Sequence, residues 1–158
     1  AEAEAAFNLA APGHKANHDM GRYAQAISSL SVIAHMAGDS SRALWLAAQA
    51  EPDLQQVGNR VGLAWLYNNR GEYYKALHRF ADAEAAFQEA IARWQALGQP
   101  GGMANSLSNL AELYVMWERP QAARPLLLAA RAQMALLSQP LPSVVQLVDQ
   151  LLRQIGEA

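Results

Sequence analysis

Apolar residues recur along this chain at spacings of three, four and seven, the mark of amphipathic helices. One stripe passes through Tyr67, Tyr74 and Leu77, breaks near His78 and Arg79, then resumes through Phe80, Ala83, Phe87, Ala90, Ile91 and Trp94. The same figure returns as Leu107, Leu110, Tyr114 and Trp117, followed by Ala123, Leu127 and Ala130. Each figure predicts two helices joined by a short turn. A last stripe, Val144, Leu147, Val148, Leu151 and Ile155, has Gln146, Gln150 and Arg153 among its intervening residues and predicts a helix from Pro142 that covers the final pair.

The figures are copies of one unit. Ala83-Glu84-Ala85-Ala86-Phe87 repeats the opening Ala3-Glu4-Ala5-Ala6-Phe7 at an offset of 80, twice 40. Steps of 40 join Ala3, Ala43, Ala83 and Ala123, and also Ala10, Ala50, Ala90 and Ala130. Ala24, Ala64 and Ala104 form another such column, as do the pairs Gly58/Gly98, Gly62/Gly102, Asn69/Asn109 and Tyr74/Tyr114. A fixed period of this length predicts stacked supersecondary units, none of which buries its apolar face alone. Ser31, Gly71 and Ala111 share one position, where small side chains let paired helices approach closely.

Turns are expected at Gly38-Asp39-Ser40-Ser41, with Asp39 or Ser40 as N-cap, at Gly58-Asn59, and at Gly98-Gln99-Pro100-Gly101-Gly102. Pro120 suits the start of a helix. Pro125 falls about a turn inside, which predicts a helix beginning near Ala122 to Arg124. The expected organisation is one domain over 1–158: a partial repeat at 1–11, repeats at 24–57, 64–97 and 104–137, and a capping helix at 142–156.

Composition agrees with an all-α chain. Of 158 residues about a fifth are alanine, the best helix former, and β-branched runs are scarce. Only 16% are charged and the formal net charge is −2, which gives no footprint for phosphate backbones or anionic membranes. No nucleic-acid or membrane partner is expected. The absence of cysteine excludes disulfides, thiolate metal ligands and a thiol nucleophile. Without Met or a signal-peptide pattern at Ala1, the chain is expected to be a piece of something larger, and cytoplasmic.

These residues resemble the tetratricopeptide repeat. Its motif sets a large residue, a leucine, a small residue and a tyrosine on the first helix, then alanine, a large residue and alanine on the second. The second unit matches through Tyr67, Gly71, Tyr74, Ala83, Phe87 and Ala90; the third through Leu107, Leu110, Ala111, Tyr114, Ala123, Leu127 and Ala130. The first unit is degenerate, keeping Ile27, Leu30, Ser31, Ala34, Ala43, Ala47 and Ala50. Arg70 stands where the family has leucine, and Ala47 where it has a bulky residue. The 40-residue period is similar to the long variety of kinesin light chains and of bacterial transcription regulators and signalling ATPases.

What the resemblance implies is an all-α, right-handed superhelix of about three and a half repeats plus a cap, with no chemistry of its own and no cofactor. Its first helices would line a concave groove that binds a protein or peptide. Carried over position by position, the groove residues are Gln25, Ser28, Ser29, Val32, His35 and Met36 in the first unit, Trp65, Asn68, Asn69, Glu72, Lys75 and Ala76 in the second, and Asn105, Ser108, Asn109, Glu112, Val115 and Met116 in the third. Asn69 and Asn109 stand where long-repeat relatives use asparagine amides on a bound peptide backbone; the same amides could bond neighbouring helices or water. Glu72 and Glu112 favour a basic or neutral ligand over an acidic one.

Two further functions fit the same fold. One is an effector-sensing regulatory segment, which a closed apolar pocket between repeats would favour. The other is self-association, a homodimer formed through the edge at Ala1 to Leu9. His14 and His18 are spaced to share a metal on a helix, but Pro12-Gly13 precede them and no third ligand is evident. Trp45, Trp65, Trp94 and Trp117 are expected mostly in the core, with Trp65 also a candidate groove anchor. No phosphate loop, HExxH or catalytic triad is present, so no metal site and no enzymatic role are expected.

Overall fold

A computed structural model describes residues 20–156. Seven helices follow one another: α1 (Met20–Met36), α2 (Ser40–Gln56), α3 (Arg60–Ala76), α4 (Phe80–Leu97), α5 (Pro100–Met116), α6 (Pro120–Met134) and α7 (Pro142–Gln154). The opening pentad, Ala10, the edge at Ala1 to Leu9, and His14 and His18 lie outside the described residues.

The turns carry the period into the backbone. Gly38, His78 and Glu118, each 40 residues from the next, all take positive φ, of 87°, 56° and 58°. Beyond each, an amide closes back onto the preceding helix: Asp39 onto the Ala34 carbonyl, Arg79 onto Tyr74 and Arg119 onto Tyr114. These satisfy carbonyls that a helix end leaves open. Asp39 then caps α2 through the Arg42 amide (2.8 Å), and Asn59 caps α3 through the Gly62 amide (2.8 Å).

Two turn expectations are corrected. The turn before α5 is only Gly98-Gln99, because Pro100 needs no amide partner at a first helical position, so Gly101 and Gly102 are helical. Likewise α6 begins at Pro120, not near Ala122 to Arg124, and keeps Pro125 inside it. Pro125 and Gln121, whose carbonyl loses its donor, both lie on the exposed face, where water takes the missing bond.

Helices pack with their chain neighbours, α1 on α2, α3 on α4 and α5 on α6, while α7 closes against α5 and α6. The core is accordingly a chain of clusters rather than one centre. All three alanine columns sit in it: Ala24, Ala64 and Ala104, Ala43, Ala83 and Ala123, and Ala50, Ala90 and Ala130 are each 0% exposed. A side chain of one carbon lets the helix axes close up while larger neighbours fill the rest. The closest approaches are at Gly71 and Gly102, where an added Cβ would lie 2.4 Å from the Phe87 and Trp94 rings respectively.

Arg70, set against the leucine of the motif, has a polar substitute for that packing. It pairs with Glu51 at 2.8 Å and lies over the Tyr67 ring, whose hydroxyl donates to the same carboxylate. Ala47 is fully buried. The tryptophans do not share one environment: Trp94 is buried, but Trp45, expected in the core, is 62% exposed on the outer face of α2.

Candidate functional site

Between α1 and α3 lies a cleft of about 390 Å³. From α1 it takes Gln25, Ser28, Ser29 and Val32; from α3, Val61, Gly62, Trp65, Leu66 and Asn69, with Asn59 at its mouth. Val61, Trp65 and Asn69 follow at intervals of four, so they stand one above another on one helix face. Ser28 and Ser29 donate to the Ala24 and Gln25 carbonyls of their own helix (2.8 and 3.0 Å), leaving their hydroxyl oxygens as acceptors. Trp65 is 43% exposed and meets the buried Trp94 edge-on at 5.1 Å, which fixes its ring. The Asn69 side-chain amide has no hydrogen-bond partner among the described residues.

Between α3 and α5 the polar groups are spent on each other. Asn68, only 4% exposed, accepts through Oδ1 from Ser106 Oγ at 2.9 Å and from Asn109 Nδ2 at 3.2 Å. Asn109 also donates to Asn105 Oδ1 at 3.3 Å. One turn on, Lys75 Nζ bridges Glu72 at 2.8 Å and Glu112 at 2.5 Å. Burial works against the Lys75 ammonium, but the two carboxylates outweigh it and hold its pKa above the usual lysine value. Glu72 and Glu112 thus face a buried cation, which weakens the argument for a basic ligand. His35 lies away from the cleft lining, its Nδ1 3.0 Å from Ser40 Oγ and its ring 4.9 Å from that of Tyr73.

Asn69 and Asn109 share a sequence column, yet their surroundings differ for a reason visible in the same columns. The partners of Asn109 are Asn68 and Asn105; forty residues earlier stand Ser28 and Trp65. The Ser28 hydroxyl turns back onto its helix and the Trp65 indole accepts nothing, so Asn69 is left without equivalents.

Residues 62–134 match the family model described as Tetratricopeptide repeat. These residues are tetratricopeptide repeats. No curated protein matches the chain. Among solved structures, that of BtubC (BKLC) from P. vanneervenii is similar, with a TM-score of 0.80 at 19% identity. The match covers 98% of this chain, which spans 66% of that one. Together these give an all-α tetratricopeptide superhelix, closed at one end by α7.

Within the tetratricopeptide frame, Ser29, Trp65 and Asn69 come together in the α1–α3 cleft, whereas Asn68, Asn105 and Asn109, with Glu72 and Glu112, belong to the α3–α5 contact. Val61 escaped the sequence reading; its signal was its place four residues before Trp65 on the same stripe. Among the described residues no three His, Asp or Glu side chains gather as metal ligands, and no helix is long and apolar enough to cross a membrane.

Proposed function

We propose that this tetratricopeptide domain is a non-catalytic binding module that takes a segment of a partner protein along its first helices, in the α1–α3 cleft. The observation that carries this reading is the pairing of a fixed, half-exposed indole at Trp65 with the unspent amide of Asn69. An aromatic anchor beside a group with two donors and an acceptor is what a peptide side chain and its backbone require. The cleft mixes Ser, Asn and Gln with Val and Trp, so it lacks the closed apolar lining that would favour a small-effector sensor.

The test is capture of partners from source-cell lysate by the wild type, Trp65→Ala and Asn69→Ala. A partner held by the wild type and lost by both variants supports the cleft. A partner held equally by all three moves the binding surface elsewhere. Asn109→Ala is unsuitable as a groove variant, since it also removes the bonds to Asn68 and Asn105.

A further inference from the structure

The concave surface is not uniform, and its unevenness restricts what it can bind. None of the residues lining the α1–α3 cleft carries a formal charge. The charged groups of the groove, Glu72, Lys75 and Glu112, stand beyond it and are paired with one another. A charge brought into the cleft would lose water with no counter-ion in the lining to replace it. An apolar group would instead meet the exposed parts of Val32, Val61 and Trp65.

Resting on the binding role proposed above, we infer that the cleft selects an uncharged, extended stretch of a partner protein with one bulky apolar side chain, and that the α3–α5 half of the groove does not take part. The apolar side chain seats against the face of Trp65 that Trp94 leaves open, between Val32 and Val61. The peptide bond beside it pairs with the Asn69 amide, which can donate to a carbonyl and accept from an N–H together. A cleft of about 390 Å³ is near the small end of ligand sites, room for one large side chain and its flanking backbone. Across α3 and α5 the corresponding amides are already paired, Asn109 with Asn68 and Asn105. A ligand there would have to break those bonds to gain equivalent ones, with little net return.

The experiment is an NMR titration of isotope-labelled protein with three peptides, acetylated and amidated at their ends. They share a Ser-Ala frame and differ only in a central Leu, Lys or Glu. The expected result is movement of the Trp65 indole N–H and Asn69 side-chain signals with the Leu peptide, at least about tenfold tighter than with Lys or Glu. That affinity should change less than about twofold between low and high salt, as no ion pair is made. Equal or tighter binding of a charged peptide, or movement centred on Asn105 and Glu112, overturns the selectivity while leaving a groove-binding role standing. No movement with any peptide also overturns it, and the lysate capture with Trp65→Ala then decides the wider reading independently.

Discussion

Gly71 tests the packing argument at one of its two tightest points. In Gly71→Ala the new Cβ would lie 2.4 Å from Cε1 and 2.5 Å from Cδ1 of Phe87, where ordinary contacts begin at 3.4 Å. The ring must therefore retreat by about 1 Å, and it is fully buried in a cluster with Ala83, Leu110 and Leu113. Two effects oppose each other. Replacing a mid-helix glycine gains up to about 1 kcal/mol through the unfolded chain and helix propensity. Overpacking costs about 1–3 kcal/mol, and a displacement this large in a closed core belongs at the upper end. The net expectation is a loss of about 2 kcal/mol, near 5 °C in Tm for a chain of this size. Urea denaturation followed by far-UV circular dichroism reads it. Gly101→Ala is the control: its nearest side-chain atom is 3.8 Å away, so that variant should keep or slightly raise stability. Trimming the ring should also relieve the clash, so Phe87→Leu should cost less in the Gly71→Ala background than alone, by about 0.5 kcal/mol or more. If Gly71→Ala is as stable as the wild type, or the two substitutions simply add, the close-approach account is wrong.

Other positions give independent checks. Asn68→Ala removes the acceptor for the fully buried Ser106 hydroxyl and for Asn109, and should cost about 2–3 kcal/mol in urea denaturation, more than an ordinary surface substitution. His78→Gly and Glu118→Gly relieve positive φ at the positions where the first turn already uses Gly38, and each should raise stability by about 1 kcal/mol, read from the urea midpoint. Burial, then the hydrogen bond donated to Glu84, pushes the Tyr114 pKa up to about 12. A folded pKa above the unfolded value of about 10 means its contribution is complete below that pH and is lost as pH rises through the folded value. Tyr114→Phe should lose that component, so the stability difference between wild type and variant should shrink as alkaline pH rises; a constant difference would refute the assignment.

The repeating part of this protein is legible in its residues alone. A period of 40 with three alanine columns is a local statement about which faces must come together, and the fully buried columns are its direct consequence. The pairing of helices, the packing of α7 on the last pair and an N-cap at Asp39 or Ser40 follow from the same local chemistry; the structure gives the cap to Asp39. What periodicity could not supply was the state of individual polar and outward-facing groups, which depends on neighbours far along the chain. Trp45 has the residue type of a core anchor but faces outward, since helix rotation is set by the alanine seam beside it. Pro125 reads as a helix start, yet its exposed side leaves water to serve the orphaned carbonyl, so the helix runs through it. Glu72 and Glu112, 40 residues apart, read as free groove charges until packing sets Lys75 between them. Asn69 and Asn109 look identical in the repeat. Only the stacking of one helix on the next decides that Asn109 is spent on Asn68 and Asn105, while Asn69, facing a serine turned back on its helix and an indole, keeps its amide unspent. A hydrogen bond needs both partners within about 3 Å, and that condition belongs to the assembled fold rather than to any one segment.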